Sequence, residues 1–126
     1  MARRAIATDR APGAIGTYSQ AIEADGTVYL SGQIPLDPDS MEMVAGDIRD
    51  QIRRVFDNLA AVAAAAGGTL DHAVKFNVYL TDLADFGAVN EVMAEYLQEP
   101  FPARAAVQVA ALPKQARVEV DAILRL

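Results

Sequence analysis

Along this chain the spacing of apolar residues switches between two periods, and each switch marks an element. In TVYLSGQI, Val28, Leu30, Gly32 and Ile34 alternate with Thr27, Tyr29, Ser31 and Gln33. A period of two with one apolar side predicts a half-buried strand. YSQAIEA stands before it across Asp25-Gly26, a pair that favours the tight turn of a hairpin. Residues 3–8 read as a short edge strand ahead of the loop APGAIG, and Pro35 and Pro38 end the third strand in a turn. From Asp47 the period lengthens: Ile48, Ile52, Val55, Phe56, Leu59, Val62 and Ala63 recur at helical spacing, with charged residues between them. Asp47 is placed to cap this helix and Gly67-Gly68 to stop it.

HAVKFNVYL returns to alternation, with Val74, Phe76, Val78 and Leu80 on one side. Asp82 is placed to cap a second helix whose stripe is Phe86, Val89, Met93, Tyr96 and Leu97. ARAAVQVAAL and RVEVDAILRL read as two final strands joined by a turn at 113–116. The order β-β-β-α-β-α-β-β predicts one α/β (α+β) domain over residues 1–126, a mixed sheet with two helices packed on one face. The opposite face of that sheet is left to account for.

Composition narrows the function classes. The chain has no cysteine, so disulfides, thiolate metal sites and cysteine nucleophiles are all excluded. Its formal net charge is −6 and no basic run stands out, which argues against nucleic acid, because phosphate neutralisation supplies most of such binding. MARRAIATDRAPGAIG has no apolar stretch behind its arginines, and about 18 apolar residues never run together. No membrane partner is expected, and the protein is expected to be soluble and cytoplasmic.

The last two strands hold the chemistry. In the first, Ala105, Val107, Val109 and Ala111 form one side, and Arg104, Ala106, Gln108 and Ala110 the other. In the second, Val118, Val120, Ala122 and Leu124 oppose Glu119, Asp121, Ile123 and Arg125. If both apolar sets face the helices, Arg104 and Glu119 share the open face. Pairing as a hairpin would set Arg104 opposite residue 123 or 125, on the order of 13–20 Å from Glu119, too far for contact within one chain. With Ala106, Ala110, Ile123 and Tyr29 that face is rather apolar, which predicts association of copies that brings Arg104 of one to Glu119 of another. Spacing alone is equally served by two solvated charges on an exposed face.

Six stretches (APGAIGTYSQAI, YLSGQIPLDP, NLAAVAAAAG, VKFNVYLTDLADFGAVN, FPARAAVQVAALP and VEVDAI) resemble, in order and over nearly the whole chain, RidA, the reactive intermediate deaminase branch of the YjgF superfamily. The resemblance implies a chorismate-mutase-like fold and a homotrimer with three clefts between subunits. It implies hydrolysis of 2-imino or 2-enamino acids, such as 2-aminoacrylate or 2-iminobutyrate, to 2-keto acids and ammonia, with no metal or organic cofactor. Carried over by position, Arg104 resembles the arginine that grips the substrate carboxylate, and Glu119 the glutamate that handles water and protons. Tyr18, Ser31, Gly32 and Asn90 match cleft-lining positions, and the backbone carbonyl of Ala106 matches the one that holds the water.

Each residue has a plainer reading. Tyr18 can be an aromatic at a strand edge, Ser31 a solvated hydroxyl and Asn90 a polar residue on a helix surface. His72 follows a turn and matches no role in the family. Where many relatives have Ser or Thr and then Cys after the arginine, this chain has Ala105 and Ala106, and its 91–103 segment looks short. Both bear on which substrate fits. Other functions compatible with the sequence are a non-catalytic trimer binding keto acids in the same clefts and, against the acidic balance, an endoribonuclease. A chorismate mutase would follow from fold alone, which does not carry function.

Overall fold

A computed structural model describes residues 2–126. The strands are β1 (Arg4–Ile6), β2 (Ala21–Ala24), β3 (Thr27–Gln33), β4 (Ala73–Leu80), β5 (Ala103–Gln108) and β6 (Val118–Arg125); the helices are α1 (Ile48–Ala65) and α2 (Phe86–Tyr96). The mixed α+β order matches the periodicity. Asp25 (φ 52) and Gly26 (φ 80) both take positive φ between β2 and β3, the geometry that lets a two-residue turn follow the strand twist.

α1 begins as its sequence dictates. The Asp47 side chain accepts from the Asp50 N–H at 3.0 Å, and the Asp50 carboxylate accepts from the Asp47 N–H at 3.3 Å, closing a reciprocal cap. Asp47→Ala is expected to lower stability by about 1 kcal/mol in a urea titration. The stripe Ile52, Val55, Phe56, Leu59 and Val62 is fully buried against Val28, Phe76, Val78, Val120 and Leu124 of the sheet. Phe56 stands at the centre, its ring 5.5 Å from those of Phe76 and Tyr96.

The strand order β1-β2-β3-β6-β4-β5 corrects the expected terminal hairpin. β6 inserts between β3 and β4, antiparallel to both, whereas β5 pairs only with β4, in parallel, and forms an edge. The reason is connection: α2 returns the chain to the far side of β4, a crossover that yields parallel neighbours, and β6 then fills the inner position. Register settles the faces. Arg104 and Ala106 lie beside Phe76 and Val78, both fully buried under the helices. Arg104, Ala106 and Gln108 therefore lie on the helix side and Ala105 and Val107 on the open side, the reverse of the sequence expectation. On a solvent-exposed edge the small alanines and valines do not reveal which set is covered.

Three smaller corrections concern local geometry. A register shift between Leu30 and Gln33 turns Gln33 inward, 6% exposed, and leaves Ile34 only half-buried, breaking the alternation expected of β3. A second shift between Ala73 and Lys75 leaves Val74 49% exposed. Asp82 caps not α2 but a short 3₁₀ turn, Leu83–Asp85, that leads into it, and the buried face of α2 is Ala88, Val89, Val92 and Met93. Among the described residues no helix is long and apolar enough to cross a membrane.

Candidate active site

The residues singled out by sequence lie in two places. The first is the seam between α2 and the edge strand β5. Arg104 Nη1 donates to Asn90 Oδ1 at 2.6 Å, its guanidinium carbon lies 4.9 Å from the centroid of the Phe86 ring, and Met93 Sδ is 3.7 Å away. Every one of these partners is neutral. Among the described residues Arg104 makes no ion pair, so its charge remains available to an anion. A cavity of about 470 Å³ opens beside it, lined by Asn90, Met93, Leu97 and Phe101. Helix α2 is fixed in turn by Tyr96, whose hydroxyl donates to Asp57 of α1 at 2.8 Å.

The second place lies where β3, β6 and two loops meet. Tyr18, Gly32 and Glu119 line a cavity of about 330 Å³ together with Ile15, Met41 and Lys114. Glu119 extends over Gly32: a Cβ built on that glycine would lie 2.8 Å from the Glu119 Cδ and 3.1 Å from its Cγ, a space it could take only by displacing the glutamate. Gly32 is thus a position of close approach to the glutamate of its own chain. Burial, reinforced by the charge of Asp121, pushes the Glu119 carboxyl above the usual glutamate range. Unlike Arg104, Glu119 lies on the open face, across from Tyr79.

Buried amides build the second wall. Gln20, 4% exposed, donates to the carbonyls of Thr8, Ala11 and Pro12 and accepts from the Thr8 N–H, pinning the N-terminal loop. Asn58 of α1, fully buried, donates to the carbonyl of Leu36 at 3.0 Å and holds the segment that follows β3. Ser31 donates to the Ser19 carbonyl at 2.6 Å, and the Tyr18 hydroxyl accepts from the Ile15 N–H at 3.3 Å. Ser31 lies not in the Glu119 cavity but in a neighbouring one that shares Tyr18. Ala106 is half-buried, two residues along β5 from Arg104 and paired with Val78. His72 accepts from the Thr69 N–H at 3.0 Å, a contact within its own turn.

Arg104 with Asn90, and Glu119 with Tyr18 and Gly32, are thus separated within one chain. Two strand spacings and three residues along the sheet put their Cα atoms ~14 Å apart, with the side chains on opposite faces. The sequence did not single out Phe86, Met93 and Phe101 around the arginine, or Met41 and Lys114 around the glutamate. These are apolar or flexible residues whose signal is indistinguishable from that of core or surface. Among the described residues no group of His, Cys, Asp and Glu could hold a metal.

Comparison with known proteins agrees with this architecture. Residues 8–125 match the sequence family described as Endoribonuclease L-PSP. The chain is similar to Protein DfrA of Myxococcus xanthus, at 55% identity over 98% of this chain and 95% of that protein. It is also similar to the human 2-iminobutanoate/2-iminopropanoate deaminase, at 47% identity over 96% of this chain and 88% of that one. The crystal structure of RidA from an Antarctic Psychrobacter superposes with a TM-score of 0.94, at 54% identity, covering 98% of this chain and 99% of that one.

Proposed function

The chain belongs to the Endoribonuclease L-PSP family, that of the RidA/YjgF proteins, and from that premise we propose that it hydrolyses reactive 2-imino and 2-enamino acids to 2-keto acids and ammonia. The observation that carries the reading is the state of Arg104: a guanidinium held by neutral groups alone, beside a cavity, with its charge unspent. A 2-imino acid brings the carboxylate that a planar fork of donors matches in a bidentate pair.

The second group the chemistry needs is Glu119. Starting protonated, its carboxyl gives the proton to the imine nitrogen. The resulting carboxylate takes a proton from water as the water oxygen bonds to C2 and the C=N π pair moves to nitrogen, giving a 2-amino-2-hydroxy acid. Glu119, protonated again, passes that proton to the amine. The C–N bond then breaks with its pair on nitrogen, ammonia leaves, and the hydroxyl proton returns to Glu119. One water is consumed, one ammonia is released and the residue is restored. A carboxyl shifted above its usual range is suited to alternate between acid and base in this way.

Since the two groups lie on opposite faces of one sheet, the complete site forms between copies, with Arg104, Asn90 and the Ala106 carbonyl from one and Glu119, Gly32, Tyr18 and Ser31 from the next. Following the family resemblance, the assembly we propose is a homotrimer. It is supported by the unpaired β5 edge and by an open face that exposes Tyr29 and Val107 at 52% and 47%. A net charge of −6 counts against RNA as a substrate, whatever the family's description.

Ammonia release from 2-iminobutyrate generated in the assay, above the uncatalysed rate and lost in Arg104→Ala, tests the reading. A protein that binds 2-keto acids yet speeds nothing would instead be a small-carboxylate binder. Gly32→Ala provides a positional check. The added methyl displaces the end of a flexible side chain rather than backbone, so the fold should survive, while kcat falls about 10²-fold because Glu119 has moved.

A further inference from the structure

Beyond Glu119 the open face carries a polar cluster that the reaction above does not use. Asp121 follows Glu119 by two residues on β6 and so projects from the same face. One of its oxygens accepts from Asn77 Nδ2 at 2.8 Å and the other from the Tyr79 hydroxyl at 3.0 Å, both donors coming from β4. Tyr79 is also the register partner of Glu119. Both donors are neutral, and among the described residues neither Asp121 nor Glu119 is in an ion pair. The cluster therefore fixes the direction of a carboxylate without cancelling its charge, one strand pleat from a second carboxyl.

We propose that Asp121, held by Asn77 and Tyr79 on the same face as Glu119 with its charge uncancelled, is a positioning residue for Glu119 and, resting on the deaminase reading, favours Glu119 in its role as the acid that first protonates the imine nitrogen. Two neighbouring carboxyls are then given separate roles by their surroundings: one is supplied with two donors, while the other is half-buried over Gly32 with no donor among the described residues. Other groups face Glu119 as well. On β4, Lys75 is on the same side but lies beside Ile123, two pairs beyond Asn77 and Asp121. From the loops, Tyr18 and Lys114 share the Glu119 cavity, and the Lys114 ammonium donates to the Met41 carbonyl at 3.2 Å. The charge of Asp121 contributes to the upward shift of Glu119, after burial. The Tyr79 hydroxyl is itself pushed up by burial and by its bond to Asp121, so it stays a donor throughout the working range.

The sign is fixed by the chemistry. An acid works while protonated, so turnover falls as pH rises through the Glu119 midpoint, and removing a neighbouring negative charge lowers that midpoint. In Asp121→Asn, which keeps size and shape, the Glu119 carboxyl followed by ¹³C NMR should titrate about half a pH unit lower than in the wild type, from one charge ~7 Å away in a mostly aqueous medium. Asp121→Glu, which keeps the charge, should stay closer to the wild type than to Asp121→Asn. A midpoint in Asp121→Asn within ~0.2 units of the wild type, or Asp121→Glu shifted as far as Asp121→Asn, overturns the proposal. The alkaline limb of kcat/KM for 2-iminobutyrate should move by the same amount. If the NMR midpoint moves while no variant or wild type hydrolyses the imine, the pairing of charges stands and the deaminase reading fails.

Discussion

Arg104→Lys is expected to lose about 10²-fold in kcat/KM on 2-iminobutyrate, and Arg104→Ala about 10²–10⁴-fold, while the melting temperature barely moves. The magnitude follows from what is removed. A bidentate guanidinium–carboxylate pair comprises two charge-assisted hydrogen bonds of about 1.5–3 kcal/mol each, and about 1.4 kcal/mol corresponds to a factor of ten. Lysine keeps the charge but offers a point donor in place of a fork, so it recovers only part. Stability should be spared because Arg104 is exposed and, among the described residues, makes no ion pair, its partners being the neutral Asn90, Met93 and Phe86. A loss below tenfold in Arg104→Ala would mean that the substrate carboxylate is held elsewhere.

The second large effect belongs to Glu119→Gln, which should lower kcat by about 10²–10⁴-fold, the range for a positioned acid–base group, with less change in KM. The same change should raise the melting temperature at alkaline pH. Because Glu119 titrates above its ordinary value in the fold, its charged form is the one the native state disfavours. The stability it contributes is therefore present at low pH and lost as pH rises through the raised midpoint. Glutamine has no charge to bury, so the two proteins should melt together in acid and separate above that midpoint, with Glu119→Gln the more stable. A group kept at a cost to stability is what a functional site predicts. Thermal melts of both proteins from pH 4 to pH 9 would show it.

How much of this was legible beforehand depended on the kind of information each residue carries. The helix over 48–65 was readable because its caps and stripe all point the same way, and the Asp25-Gly26 turn because few other residues tolerate two positive φ values in succession. The position of β6 between β3 and β4 was not readable. Strand order is set by how the α2 crossover lands, and on the edge strand β5 the residues between Arg104 and Gln108 are small alanines and a valine that do not mark a covered side. That one ambiguity reversed the face assigned to Arg104 and Ala106. Arg104 and Glu119 stood out from the strand pattern, and the resemblance supplied their roles and added Asn90, Gly32 and Tyr18. Their division into two cavities, the engagement of Ser31 with Ser19, and the Asn77–Tyr79–Asp121 cluster depend on register and loop path, which local sequence does not encode.

The claim on which the rest depends is that no single protomer owns a working site. Arg104→Ala and Glu119→Gln proteins, each nearly inactive alone, can be unfolded together and refolded as mixed oligomers. If each site joins the arginine of one copy to the glutamate of the next, random mixing makes about one site in four intact and restores about a quarter of wild-type turnover. Mixed oligomers as inactive as their parents would contradict it, because they would show both groups serving from the same chain.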